Sequence, residues 1–329
     1  MIDLHLHLDG SLTRDELVIL AMMSGESVEE AKNARISVDS SCKSLNEYLE
    51  CFEYPLKVLQ TKECIAKAVY MLIGRLSRDG LLYAEIRFAP QLHTKKGLSQ
   101  REVVMAAIEG LEKAKSDYLF PAQLILCAMR GEDNLKENLL TVDVAKEFLK
   151  KGVCALDLAG AEGLYETSLF EPVFKKANDL DIPFTIHAGE ADGPQSIWSA
   201  VKMGAKRIGH GVRAIEDPLL MSFLSMSGIA LELCPTSETD TKAIADIKAL
   251  PIEEFIRKGI TVTLNTDDMT VSDITLKEEY EKIAKTFHFS DEMMNKLCIN
   301  AIESAFLDGD QKDFLKEQFE KTYGTREKN

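Results

Sequence analysis

No Cys-x-x-Cys pair occurs among the seven cysteines of this sequence (Cys42, Cys51, Cys64, Cys127, Cys154, Cys234 and Cys298). An odd, scattered set of this kind reads as reduced thiols, so neither a disulfide framework nor a cysteine-based zinc site is expected. No stretch approaches the roughly 18 consecutive apolar residues of a membrane span. The opening residues do not read as a signal peptide, because Asp3 interrupts them, no basic stretch precedes them and no small-residue cleavage site follows. Basic residues are scarce as well: 39 Lys and Arg against 54 Asp and Glu leave a formal charge of −15. That deficit argues against nucleic acid and anionic membranes as partners, since both need basic patches, and it disfavours a heavily phosphorylated substrate. A cytoplasmic protein is expected.

What is present is a long chain of globular composition, 329 residues with 45% hydrophobic and 28% charged. That length suits two ordinary domains or one α/β barrel. Eight short runs rich in aliphatic and β-branched residues recur: IDLHLH (2–7), LYAEIRFAP (82–90), AQLILCAMR (122–130), VCALDLAG (153–160), IPFTIHAGE (182–190), KRIGHG (206–211), IALELCP (229–235) and ITVTLNTDD (260–268). Amphipathic stretches such as QREVVMAAIEGLEKAK separate most of them. Strands alternating with helices imply βαβ units and a parallel sheet, and eight of them predict a (β/α)8 TIM barrel.

About seventy residues lie between the first run and the second, more than one crossover helix needs. There SLNEYLECFEYPLKVLQT sets Leu45, Leu49, Phe52 and Leu56 at i, i+4, i+7 and i+11, one apolar helix face. Extra helices inserted after the first strand, within 10–80, are therefore expected, packed against the barrel or forming a lid over its mouth. The rest reads as one domain over 1–329 with a short polar tail, KTYGTREKN.

Catalytic groups of such barrels come from the C-terminal ends of the strands. Those ends carry His5, His7 and Asp9; Arg87; Arg130; Asp157 and Gly160; His187 and Glu190; His210; Cys234 and Ser237; and Asp267 and Asp268. Four of the six histidines are in that set, while His93 and His288 read as packing or surface residues. Residues i and i+2 of a strand point to the same side, so His5 and His7 offer two imidazoles to the barrel interior. Such a pair suits zinc or iron. His187 supplies a third nitrogen, and Asp267, on the strand that neighbours the first in a closed barrel, supplies a carboxylate. Glu190 can face the same pocket without binding metal. His210, between glycines, reads as a base or water-orienting group. Asp268 leaves a second carboxylate beside the ligand, which needs a donor or a cation to hold it.

The series HLHLDG (5–10), LDLAG (156–160), HAGE (187–190), GHGVR (209–213), CPTS (234–237) and NTDD (265–268) resembles the motifs of the adenosine deaminase family, within the metal-dependent amidohydrolases. The resemblance runs from Met1 to the NAIESAFL stretch near residue 300. It implies one Zn2+ per chain on His5, His7, His187 and Asp267, and hydrolysis of adenosine and 2′-deoxyadenosine to the inosines and ammonia in purine salvage. It implies catalytic roles for Glu190, which would give a proton to purine N1, for His210, which would hold or deprotonate the attacking water, and for Asp267. Substrate would be bound by His7, by Asp9 at the ribose 5′-hydroxyl, by the Gly160 N–H at N3 and by Asp268 at N7. Leu45, Tyr48, Leu49 and Phe52 would gate the purine, and Ser237 would support Asp267. The oligomeric state is left open, a monomer included.

Two positions depart from the family pattern. CPTS is commonly followed by Asn, and here Glu238 follows, expected to add negative charge near the mouth. NTDD is commonly followed by Pro, and here Met269 stands. Adenine deaminase is the nearest alternative. Asp9 argues against it, because relatives acting on the base tend to carry Glu there. A modified aminopurine nucleoside is a further alternative, and a catalytically silent purine-binding protein is one of another class.

Overall fold

The computed structural model describes residues 1–323, so the last part of the expected polar tail lies outside the described residues; its first part, Lys321–Tyr323, ends the final helix, Gly309–Tyr323. All eight anticipated strands form: β1 Ile2–His7, β2 Tyr83–Phe88, β3 Ala122–Met129, β4 Val153–Ala159, β5 Thr185–Ala188, β6 Arg207–His210, β7 Ala230–Leu233 and β8 Val262–Leu264. Helices cover both the outside and the long β1–β2 connection. Strands covered in this way are buried on both faces, and that is why they read as nearly unbroken apolar runs.

Pairing is parallel throughout, in the orders β1-β2-β3-β4 and β5-β6-β7-β8. Two bridges join these halves into a closed barrel. Leu156 pairs with Phe184 between β4 and the approach to β5. On the other side the His7 N–H donates to the Asp267 carbonyl at 2.7 Å, and the Asp267 N–H donates to the His5 carbonyl at 2.8 Å. The fold is the expected TIM barrel.

The long connection holds α1 Arg14–Ser24, α2 Val28–Asn33, α3 Leu45–Leu49, α4 Glu53–Val58 and α5 Lys62–Arg78. A capping box starts α1, with Thr13 and Glu16 satisfying each other's backbone N–H, and Gly25 ends it at φ +75°. The segment 45–58 corrects the expectation of one continuous helix face. A tight turn at Glu50–Phe52 breaks it, and the side chains buried there are Tyr48, Cys51, Tyr54, Pro55 and Val58. Leu45, Leu49, Phe52 and Leu56 stay half-buried. Leu45 and Phe52 pack with Tyr48, Cys42, Cys51 and Val271 in a small apolar cluster apart from the main core.

The barrel interior is partly ionic. Glu85, Arg87, Asp157, Arg207 and Glu232, from four strands, are all buried. Arg207 bonds Glu85 at 2.7 Å and Glu232 at 2.5 Å, and Phe306 lies under its guanidinium at 3.9 Å, closing the N-terminal end. A groove of about 1210 Å³ opens at that end, lined by Gln123, Lys150, Lys206, Phe306 and others, and it touches none of the groups described next.

Candidate active site

The C-terminal end of the barrel gathers the anticipated groups. His5 Nε2 and His7 Nε2 lie 3.0 and 3.2 Å from His187 Nε2, and they lie 3.2 and 3.4 Å from Asp267 Oδ1. One ligand atom from each of the four residues falls within 4.8 Å of every other. Only a glycine lets these rings close in: a Cβ on Gly209 would sit 2.9 Å from His5 Cε1 and 3.2 Å from His187 Cα. Asp267 and His210 take left-handed backbone, φ +60° and +59°, which is strained for side-chain-bearing residues and turns both side chains inward.

This donor set fits a divalent metal ion. His5 Nδ1 faces Glu232 Oε2 at 2.7 Å, and His187 Nδ1 faces Asp157 Oδ2 at 3.0 Å. Each carboxylate accepts the Nδ1–H, so both Nε2 atoms present lone pairs, and two lone pairs 3.0 Å apart repel unless a cation lies between them. Burial holds His7 and His187 below the usual imidazole range, the neutral form a metal requires. Burial alone would raise Asp267, but the imidazoles around it, His5 first and then His210 and His7, hold it well below the carboxylate range. Ser237 Oγ donates to Asp267 Oδ2 at 2.6 Å.

Beside this cluster, Glu190 Oε2 stands 3.6 Å from His210 Nε2, and Asp267 Oδ2 is 4.0 Å from the same nitrogen. Burial raises the Glu190 carboxyl above its ordinary range, against the pull of His210. Burial opposes charge on His210, yet Glu190, Glu238 and Asp267 raise it to about 10. Glu190 is aimed by its own turn: the Glu162 carboxylate accepts the backbone N–H groups of Gly189, Glu190, Ala191 and Asp192 at 2.6, 2.9, 2.7 and 3.1 Å.

Two buried carboxylate oxygens, Asp9 Oδ1 and Asp268 Oδ1, have no hydrogen-bond partner, which leaves them to take one from a bound molecule. Burial raises Asp9 to about 6, and burial with the adjacent Asp267 charge raises Asp268 well above its ordinary value. Gly10 permits their approach, since a Cβ there would fall 1.7 Å from Asp268 Oδ1. Gly160 stands half-buried just past β4. Tyr48 Oη shares a hydrogen bond with Ser272 Oγ at 2.9 Å, and Ser272 N–H donates to the Asp268 carbonyl at 3.0 Å, which brings the 45–52 segment against this side of the site.

One of the two departing positions lies elsewhere than expected. Glu238 is fully buried at the base of the site, not at its mouth. Met269 is buried too, its N–H donating to Ser11 Oγ at 3.1 Å and its sulfur 3.4 Å from Arg75 Nη1. Arg130 holds the end of β5 by donating to the His187 carbonyl at 2.6 Å, and Cys234 is buried without a ligand role in the four-residue set. His93 is a packing residue against Phe88, and His288 is an exposed helix cap. Sequence reasoning missed Glu162 and Glu232. A charge in a strand that is otherwise wholly apolar, as in ALEL, was the available signal for the second.

A family profile described as adenosine deaminase matches residues 1–322. A protein named adenosine deaminase from Haemophilus ducreyi is 46% identical over 331 residues, covering 98% of this chain and 96% of its own. Among solved structures, an adenine deaminase from Arthrobacter aurescens superposes with a TM-score of 0.88 at 24% identity, over 98% of this chain and 99% of that one. An amidohydrolase from Burkholderia ambifaria, solved with bound Zn, gives 0.87 at 20% identity, over 98% and 90%.

Proposed function

The chain belongs to the adenosine deaminase family, and on that premise we propose that it hydrolyses adenosine, and 2′-deoxyadenosine, to the corresponding inosine and ammonia, with one zinc ion per chain. His5, His7, His187 and Asp267 would hold the metal. When bound, it supplies the Lewis acidity that makes water a nucleophile near neutral pH.

The chain's own groups supply the proton chemistry. Glu190, whose carboxyl burial raises above its ordinary range, would give a proton to purine N1 and make C6 electrophilic. His210 Nε2 would take a proton from the water whose oxygen bonds to C6, because neither a Glu190 carrying the proton for N1 nor an Asp267 held by the metal would raise the His210 pKa. His210 then passes that proton to the exocyclic amine, which leaves as ammonia, while the new C6 hydroxyl proton returns to Glu190. The N1 proton remains in the product, so the cycle balances. Asp268 would meet N7, the Gly160 N–H would meet N3 and Asp9 the ribose 5′-hydroxyl. Leu45, Tyr48, Leu49 and Phe52 would cover the purine as part of a helical lid, residues 10–80, on a single-domain barrel.

The observation that carries this reading is the Glu190–His210 pair set against the four-donor cluster, an acid and a base on one side of a metal position. All seven cysteines are unpaired and buried, which supports a reducing, cytoplasmic setting. No helix among the described residues is long and apolar enough to cross a membrane.

Ultraviolet assays with adenosine, 2′-deoxyadenosine and adenine, alongside metal analysis, test the proposal. Rapid loss of nucleoside absorbance with about one zinc per chain and little action on adenine supports it. A preference for adenine would move the substrate, and no turnover with metal bound would leave a silent binder.

A further inference from the structure

We propose that Glu238 is a positioning residue that accepts the Nδ1–H of His210 and so assigns Nε2 as the nitrogen that works on the attacking water. Glu238 lies in the helix Pro235–Asp240, fully buried. Its backbone is pinned, the N–H donating to the Cys234 carbonyl at 2.9 Å and its carbonyl accepting from the Ile244 N–H at 3.0 Å. One carboxylate oxygen, Oε1, accepts the Cys234 N–H at 3.0 Å and stands 3.6 Å from His210 Nδ1. The other, Oε2, has no hydrogen-bond partner, and neither does His210 Nδ1.

Among the described residues, His210 is the one basic side chain within 4 Å of this carboxylate. A buried carboxylate held by a single hydrogen bond is under-compensated, and a buried ring N–H without an acceptor is costly. A small rotation of either side chain gives Nδ1–H an acceptor in Oε1, because the gap exceeds an ordinary hydrogen bond by little more than half an ångström. The alternative tautomer would turn a lone pair toward the carboxylate and the N–H toward the metal position. The pinned helix therefore selects the tautomer whose basic nitrogen faces Glu190 and Asp267. A carboxylate behind a histidine also raises its basicity and fixes its ring plane.

This inference rests on the deaminase reading given above. It is tested with Glu238→Gln and Glu238→Met in the full-length, metal-loaded protein. Steady-state kinetics with adenosine are combined with metal analysis and 15N NMR of histidine-labelled protein, the His210 signals being assigned by their loss in His210→Asn. Glu238→Met is expected to lower kcat by about 10- to 100-fold while KM stays within about 3-fold. Metal content should stay near one per chain, and the 15N pattern should lose the fixed Nδ1–H form. Glu238→Gln, which keeps an acceptor oxygen, should fall between Met and the native chain. Native kcat in both variants, or a lowered kcat with an unchanged His210 15N pattern, would overturn the assignment. If Glu238→Met fails to fold, the Gln variant decides by the same two readouts. If the native protein does not turn over adenosine, the deaminase reading fails, and the NMR comparison still judges the Glu238–His210 contact.

Discussion

Arg87 and Glu232, both fully buried, meet at 2.9 Å inside the barrel, and through them the two halves of the metal-ligand set are tied together. Glu232 holds His5 at 2.7 Å; Arg87 also binds Asp157 at 2.7 Å, and Asp157 holds His187. One guanidinium thus braces the carboxylates behind two imidazoles that arrive on strands β1 and β5.

Glu232→Gln should therefore be felt in stability and in metal affinity together. All four contacts of this carboxylate, with Arg207, Thr185, His5 and Arg87, come from donors. An amide NH2 would have to oppose one pair of them and would leave two guanidinium groups under-compensated. Breaking a buried ion network in this way costs about 3–5 kcal/mol, and losing a carboxylate behind a ligand histidine weakens metal binding roughly 10- to 100-fold. Denaturant unfolding and chelator competition measure the two effects, and an affinity equal to the native protein's would refute the bracing role.

Glu162→Gln should damage catalysis and spare the metal. The Oε2 atom alone accepts three consecutive N–H groups, and Oε1 accepts the Gly189 N–H and the Ser196 hydroxyl. Whichever way the amide turns, its NH2 meets donors, and the turn bearing Glu190 must open. A stability loss of about 1–3 kcal/mol is expected, with kcat down by roughly 100-fold, the scale of a displaced acid. Metal content near one per chain separates this outcome from a general collapse.

These two residues also mark where sequence legibility ended. Strands and ligands were readable because a fully covered parallel strand needs a nearly unbroken apolar run and because its ends project into the site. The partners of His5 were not, since Glu232 lies 227 residues away and nothing local announces which buried charge meets which. Segment 45–58 misled for a related reason. Two apolar stripes coexist there, and periodicity does not say which one the core will take, so Leu45, Leu49, Phe52 and Leu56 read as one long face that the turn at Glu50–Phe52 interrupts. Glu238 followed an expectation about charge at the surface, whereas the short helix after β7 carries it inward.

Gly209→Ala isolates the packing requirement of the metal site. The added methyl meets the His5 ring at 2.9 Å and the His187 backbone at 3.2 Å, and the backbone cannot swing aside. Overpacking of this kind costs about 1–3 kcal/mol, and both ligands must shift. Purified protein should hold well under one metal per chain with an unchanged far-ultraviolet circular dichroism spectrum. Full metal occupancy in the variant would show that the ring packing is not required.

Glu279 gives the clearest dependence of stability on pH outside the site. It is fully buried on the helix Leu276–Phe287, with Oε1 accepting the Thr236 N–H at 3.0 Å and Oε2 unpartnered. Burial raises its carboxyl to about 8, overcoming the Thr236 hydrogen bond and Lys282 and aided by the Glu238 charge. The ordinary value is 4.5, so between that pH and about 8 the folded chain keeps a proton that the unfolded chain has released. The unfolded state then binds fewer protons, and stability falls as pH rises through this window. The span of about 3.5 units corresponds to at most about 5 kcal/mol, lost progressively and complete above pH 8. Glu279→Gln keeps the acceptor for Thr236 and has no charge to bury. Its unfolding free energy should match the native chain's near pH 4.5 and exceed it by a margin that widens up to pH 8 and then holds. Parallel denaturant titrations at pH 5, 7 and 8.5 read that margin, and a constant difference across the three would refute a buried, protonated Glu279.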